Sequence, residues 1–183
     1  AGYSFNGAKN DFAVVRYLVT CPATYTDTIA LILHDGINCI DYPIVKIGSQ
    51  WWMAENVNAT LYSNGDTLVN GTGAGNITGN FTTKYYFNYA DNPANGEVYG
   101  KLYTWAAAMN GAASSDSIPS GVQGVCPAGW HLPGDAEWKQ MELYIGMTQA
   151  EVDAIDWRGN KGHILKETGA THWTDNCGTN TTG

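Results

Sequence analysis

The stretch Val125-Cys126-Pro127-Ala128-Gly129-Trp130-His131-Leu132-Pro133-Gly134-Asp135-Ala136-Glu137-Trp138 constrains the fold most, because its proline and glycine residues dictate where regular structure stops and starts. Pro133 cannot continue a helix begun before it and drives Leu132 toward an extended conformation, so a helix opens only afterwards. Gly134 is the expected N-cap. Glu137 stands where its carboxylate reaches back to the cap amide and meets the positive end of the helix dipole. Trp138, Met141 and Ile145 then follow at helical spacing, an apolar stripe that needs a partner surface. Trp130 and Trp138 are expected to anchor a core, and His131 to be a packed histidine whose ring nitrogens bond backbone groups.

The chain has 183 residues, enough to bury a sizeable core as one domain or one domain with an appendage. Seven Trp and eleven Tyr supply much of that core. The formal charge is −8 and Lys plus Arg total nine without a basic run, which argues against nucleic acid as a partner. No stretch is long and apolar enough for a membrane-spanning helix. Low charge with abundant Gly, Asn, Thr and Tyr suits a secreted β-rich protein.

In order along the chain, Phe12–Thr20 reads as an apolar strand and Thr28–His34 as another, with Asp35-Gly36 a turn. Ile44–Ile47 and Gln50–Met53 make a hairpin about Gly48-Ser49. Residues 63–82 read as a long exposed loop with some strand pairing, and Tyr85–Tyr89 as an aromatic strand. Leu102–Met109 should be a short helix closed by Asn110-Gly111. Residues 112–124 are a second polar loop. The helix after Pro133 runs to about Ile145, and Thr148-Gln149-Ala150-Glu151 is a capping box opening another short helix with Val152 and Ile155 inward.

Cys21, Cys39, Cys126 and Cys177 form an even set without the C-x-x-C spacing of a zinc site, so disulfides are expected. Pairing Cys21 with Cys39 and Cys126 with Cys177 keeps each bridge inside one structural region. Asp91, Asn92, Asn95 and Glu97 make an oxygen-rich loop, a weak calcium candidate whose spacing fits no EF-hand; a solvated turn is the simpler reading. No other metal and no cofactor is expected. Asn58, Asn70, Asn76, Asn80 and Asn180 each head an Asn-x-Ser/Thr acceptor. No nucleophile, base and orienting group assemble into a catalytic set, and G-x-S-x-G and H-E-x-x-H are both missing, so no enzyme is expected.

Four separated blocks carry a resemblance. They are Val45-Lys46-Ile47-Gly48 leading to Trp52-Met53-Ala54-Glu55-Asn56; Tyr99-Gly100-Lys101-Leu102-Tyr103-Thr104-Trp105-Ala106-Ala107-Ala108-Met109; the stretch of residues 125–138; and Gly162-His163-Ile164-Leu165-Lys166-Glu167-Thr168-Gly169 with His172-Trp173. Together, over roughly residues 42–183, they resemble the Fibrobacter succinogenes major paralogous domain, found in secreted and surface proteins. The Leu-Pro-x-x-x-Glu-Trp portion is also similar to the C-type-lectin-like fold.

The resemblance implies an α+β protein with a C-type-lectin-like core of short helices and antiparallel strands. Residues 1–41 add an N-terminal β segment, and residues 42–183 form the family domain. It also implies further closing strands past this sequence. Either the sequence is a piece of a longer chain, or something else supplies those strands. The lectin calcium motif that would accompany Trp173-Thr174-Asp175-Asn176 is absent, so lectin activity is not carried over. A Bacteroidota setting makes Thr28, Thr67 and Ser117, each in an Asp-Ser/Thr-aliphatic triplet, candidate O-glycan acceptors.

The function expected is that of an extracellular or cell-surface structural or interaction protein. The alternative is a carbohydrate-binding or adhesive module, with glycans as possible partners. Self-association is expected through the apolar strand Phe12, Val14, Val15, Tyr17, Leu18 and Val19, which in one subunit would add to the sheet or groove of the next and give a head-to-tail filament.

Overall fold

The computed structural model describes residue 21 and residues 23–167. In chain order it holds β1 (Tyr25–Asp27), β2 (Ile32–Asp35), β3 (Ile40–Ile47), β4 (Gln50–Met53), β5 (Val69–Asn70), β6 (Tyr85–Phe87), α1 (Pro93–Tyr99), β7 (Leu102–Tyr103), α2 (Trp105–Met109), α3 (Asp135–Tyr144) and α4 (Gln149–Val152). Single 3-10 turns lie at Tyr89–Asp91 and Lys161–Leu165. This is an α+β chain, as its sequence implies. β1 to β4 form an antiparallel meander in that order, while β5 pairs parallel and β7 antiparallel with the central β6.

The meander is one-sided because its apolar residues alternate. Leu33, Tyr42 and Ile44 are buried while Asp41, Pro43 and Val45 point out. Trp51, Met53 and Trp130 close over the buried face. Gly48 turns the β3–β4 hairpin at φ 62°, and a Cβ there would press on the Tyr144 ring of α3. The strand expected over Thr28–His34 starts later, at Ile32. Asp27 is the reason: its Oδ1 accepts the Ile29 and Ala30 N–H groups at 2.9 and 2.8 Å, bending residues 28–31 into a turn before pairing resumes. Cys21 and Cys39 are joined by a disulfide, with Cα atoms 5.4 Å apart. β3 pairs with β2 through residues 40–43 and with β4 through residues 44–47, so the described part of the N-terminal segment shares one sheet with the domain that follows.

A second core forms around Ala59, Tyr62, Leu68, Ala107 and Val125. Its tyrosines are satisfied internally: Tyr62 donates to the Ala107 carbonyl at 2.9 Å and Tyr103 to the Ala59 carbonyl at 2.7 Å. The helix expected over Leu102–Met109 is shorter than its sequence suggests. Leu102 and Tyr103 pair with β6, and Thr104 starts the helix by accepting the Ala107 N–H. Asn110 ends it in the left-handed conformation, as its position before Gly111 implies. Residues 91–97, read as a loop, instead enter α1, whose first turn is capped by Asn92.

α3 begins after Gly134, but its buried face differs from the expected stripe. Glu137 and Met141 turn inward, Ile145 is half-buried, and Trp138 remains 41% exposed. The helix is rotated so that the carboxylate, not the indole, reaches the interior. α4 carries the expected box, Thr148 accepting the Glu151 N–H and Glu151 accepting the Thr148 N–H. Val152 is fully buried, whereas Ile155 is 89% exposed and so departs from the inward position expected of it. The helix has ended before Ile155, and Asp156 at φ 71° takes the chain away from the core.

Candidate functional site

β4 is the last strand of the meander, and a cleft of about 740 Å³ runs along it, closed opposite by the Cys126–Pro133 stretch and α3. Its volume is within the range of ligand sites. Adjacent residues on a strand point to opposite faces, so the Trp51-Trp52 pair brings an indole to each side of β4. Trp52 meets Trp138 with ring centroids 4.9 Å apart. Trp130 forms the facing wall and is anchored where its Nε1 donates to Thr26 Oγ1 at 3.1 Å. Trp52 Nε1 is buried in the cleft wall and has no hydrogen-bond partner among the described residues.

The backbone of β4 adds polar groups to this apolar lining. The Ala54 N–H donates to the Pro43 carbonyl at 2.8 Å, and Trp52 is paired with Val45. Antiparallel alternation therefore turns the N–H and C=O of Trp51 and Met53 away from β3, toward the cleft. None of these four groups bonds to a described residue. The cleft is thus edged by the outer side of β4, which has no strand partner among the described residues.

Below it lies Glu137, 5% exposed. One carboxylate oxygen accepts the Gly134 N–H at 3.0 Å and the Ser120 N–H at 3.1 Å, and the other lies 2.7 Å from His131 Nε2. Burial alone pushes this carboxyl up, but the two backbone donors and the imidazole outweigh it, so Glu137 is held below the ordinary glutamate range. His131, expected to bond backbone groups, pairs with this carboxylate instead. That contact was not legible from the residues alone, because it depends on which face of α3 turns inward. The neighbouring Ser120 hydroxyl donates to the Leu132 carbonyl at 2.5 Å and is not presented to His131. The knot holds the Ser120, His131 and Gly134 segments at the helix entry. It is scaffolding for the cleft wall.

The other residues singled out by the sequence are spread over the surface or lie elsewhere. Cys126 carries a free buried thiol beside the cleft, pushed up to about 12 by burial, while Cys177 lies outside the described residues. Asn70, Asn76 and Asn80 are exposed, each accepting through Oδ1 the N–H two residues on, at Thr72, Thr78 and Thr82. Asn58 instead buries its Oδ1. Thr28, Thr67 and Ser117 are exposed.

The calcium candidates have other partners. Asn92 Oδ1 caps α1, Asn95 donates to the Tyr89 carbonyl, and Glu97 lies 3.9 Å from Lys101, with Asp91 in the preceding turn. No group of three or more His, Cys, Asp or Glu side chains able to hold a metal occurs among the described residues. Phe12, Val14, Val15, Tyr17, Leu18, Val19, His172 and Asn180 lie outside those residues.

Gln50 and Trp51 are cleft residues that sequence reasoning placed only in a hairpin. A signal was present in the Trp51-Trp52 doublet: on a one-sided sheet, alternation leaves one of two consecutive indoles outside the core, where it needs another partner.

No curated protein and no solved structure matches the chain. The Fibrobacter succinogenes major domain does match, over residues 45–183, a region that contains β4, the facing stretch and α3. With most of its length under that match, the chain belongs to the Fibrobacter succinogenes major domain family.

Proposed function

We propose that this protein is a secreted, non-catalytic structural or interaction module of the cell surface, with a C-type-lectin-like core, and that the β4 cleft is its binding surface. The observation that carries this reading is the pairing of an indole-lined hollow with the unpaired backbone of Trp51 and Met53, since such a surface offers both apolar contact and strand-like hydrogen bonding to an extended segment. The Cys21–Cys39 bridge suits an oxidising compartment. Among the described residues no helix is long and apolar enough to cross a membrane. The exposed Asn-x-Thr turns and Asp-Ser/Thr triplets offer places for glycans.

A saccharide-binding role is the second reading, favoured by the indole faces of the same cleft. Two measurements test the proposal. Surface biotinylation of intact source cells should label the protein, and a protein inaccessible in intact cells overturns the location. Tryptophan fluorescence should shift when an extended apolar peptide is added and should stay constant with oligosaccharides. The reverse pattern transfers the cleft to the saccharide reading.

A further inference from the structure

We infer that the occupant of the β4 cleft is the segment Phe12–Val19 of a second copy of this chain, added as a strand along the Trp51–Met53 edge. The inference rests on reading that cleft as a binding surface. Three observations select this occupant over others.

First, the chemistry matches. The cleft presents apolar walls and the backbone groups of Trp51 and Met53, and Phe12–Val19 is apolar except for Arg16. Among the described lining residues the exposed carboxylate is Glu55, because Glu137 is committed to its three partners. Arg16 and Glu55 are therefore complementary charges on otherwise apolar surfaces.

Second, the segment fits its own cleft poorly. The disulfide fixes Cys21 beside Cys39, at the start of β3, whereas Met53, the near end of the β4 edge, pairs with Ile44. Ile44 lies five positions beyond Cys39, about 17 Å at the usual rise of a strand. Val19, two residues from Cys21, reaches only about 7 Å from that anchor. Within one chain only the first half of the segment is long enough to reach the Trp51–Met53 edge of the cleft. A second copy has no such tether and can bury the whole segment.

Third, donor and acceptor differ, so each copy offers one of each and the contact propagates. The product is a head-to-tail filament.

The test uses the full chain with one cysteine added to the segment, Ala13→Cys or Val15→Cys, and one at the rim, Glu55→Cys. After mild oxidation, non-reducing electrophoresis should show a ladder of linked multimers that disappears when excess peptide of residues 11–20 is present during oxidation. A linked monomer without a ladder overturns the inference in favour of the segment entering its own cleft, and no new link at either position overturns it outright. A charge exchange gives an independent reading in chains without added cysteines. Arg16→Glu should shift sedimentation from multimers to monomer, and Arg16→Glu with Glu55→Arg should restore the multimers. A double variant that stays monomeric while Glu55→Arg alone is folded also overturns the inference. Either failure leaves the surface location and the peptide response of the cleft standing, because those are read by biotinylation and fluorescence.

Discussion

Two buried carboxylates hold the two halves of this molecule, and they work differently. Asp35, 3% exposed at the end of β2, accepts the Ile37 and Asn38 N–H groups and the Asn38 side-chain amide, all within three residues. Asn38 then carries the connection outward, accepting the Thr60 and Leu61 N–H groups and donating to the Leu61 carbonyl. Glu137 makes its own distant contact, to Ser120 17 residues away, and also holds His131 and the helix entry. The first carboxylate shapes a turn and leaves the tertiary link to a neighbour. The second is itself the link, so its loss should be felt farther away.

The largest expected effect is therefore at Glu137. Glu137→Ala leaves two backbone N–H groups and an imidazole without their acceptor in the interior, and should cost about 4 kcal/mol in urea unfolding. A cost no greater than that of an ordinary helix substitution would show that water replaces the carboxylate freely. Acid sharpens the point. Because the folded carboxyl lies below its ordinary value of 4.5, its contribution is complete above that pH and is lost as pH falls through the lowered folded value. Glu137→Gln should flatten the acid limb of stability, measured from urea midpoints at descending pH.

Breaking the disulfide should come next. Cys39→Ser opens a bridge between residues 18 apart and should cost about 3 kcal/mol in the chain-entropy description. Calorimetry of wild type with and without reductant checks the same quantity. The Asp35 side of the comparison is probed by Asn38→Ala, which should cost about 2 kcal/mol, because four hydrogen bonds go but some freed groups lie close enough to the surface to hydrate. If this variant loses as much as Glu137→Ala, the contrast between a local and a long-range carboxylate fails. The smallest effect belongs to Thr148→Ala, which removes the cap of α4 and should cost about 1 kcal/mol by the same measurement.

What could be read from the sequence was local. The Gly48 hairpin, the left-handed Asn110, the Gly134 start of α3 and the Thr148 box each depend on a few consecutive residues whose dihedral preferences and side-chain reach are intrinsic. The pairing of Cys21 with Cys39 followed from their nearness in the chain. Where local signals competed, the reading slipped: Asp27 captured two backbone amides and delayed β2, and β6 drew Leu102 and Tyr103 out of the helix their neighbours suggested. The rotation of α3, the meeting of His131 with Glu137 and the indole-walled cleft beside β4 were decided only by tertiary structure. His131 and Glu137 are six residues apart, but which face of α3 turns inward depends on partners far away in the chain, Ser120 on the Glu137 carboxylate and the β4 residues Gln50 and Trp52 against α3. With Glu137 inward, Trp138 lies at the cleft instead of in the core.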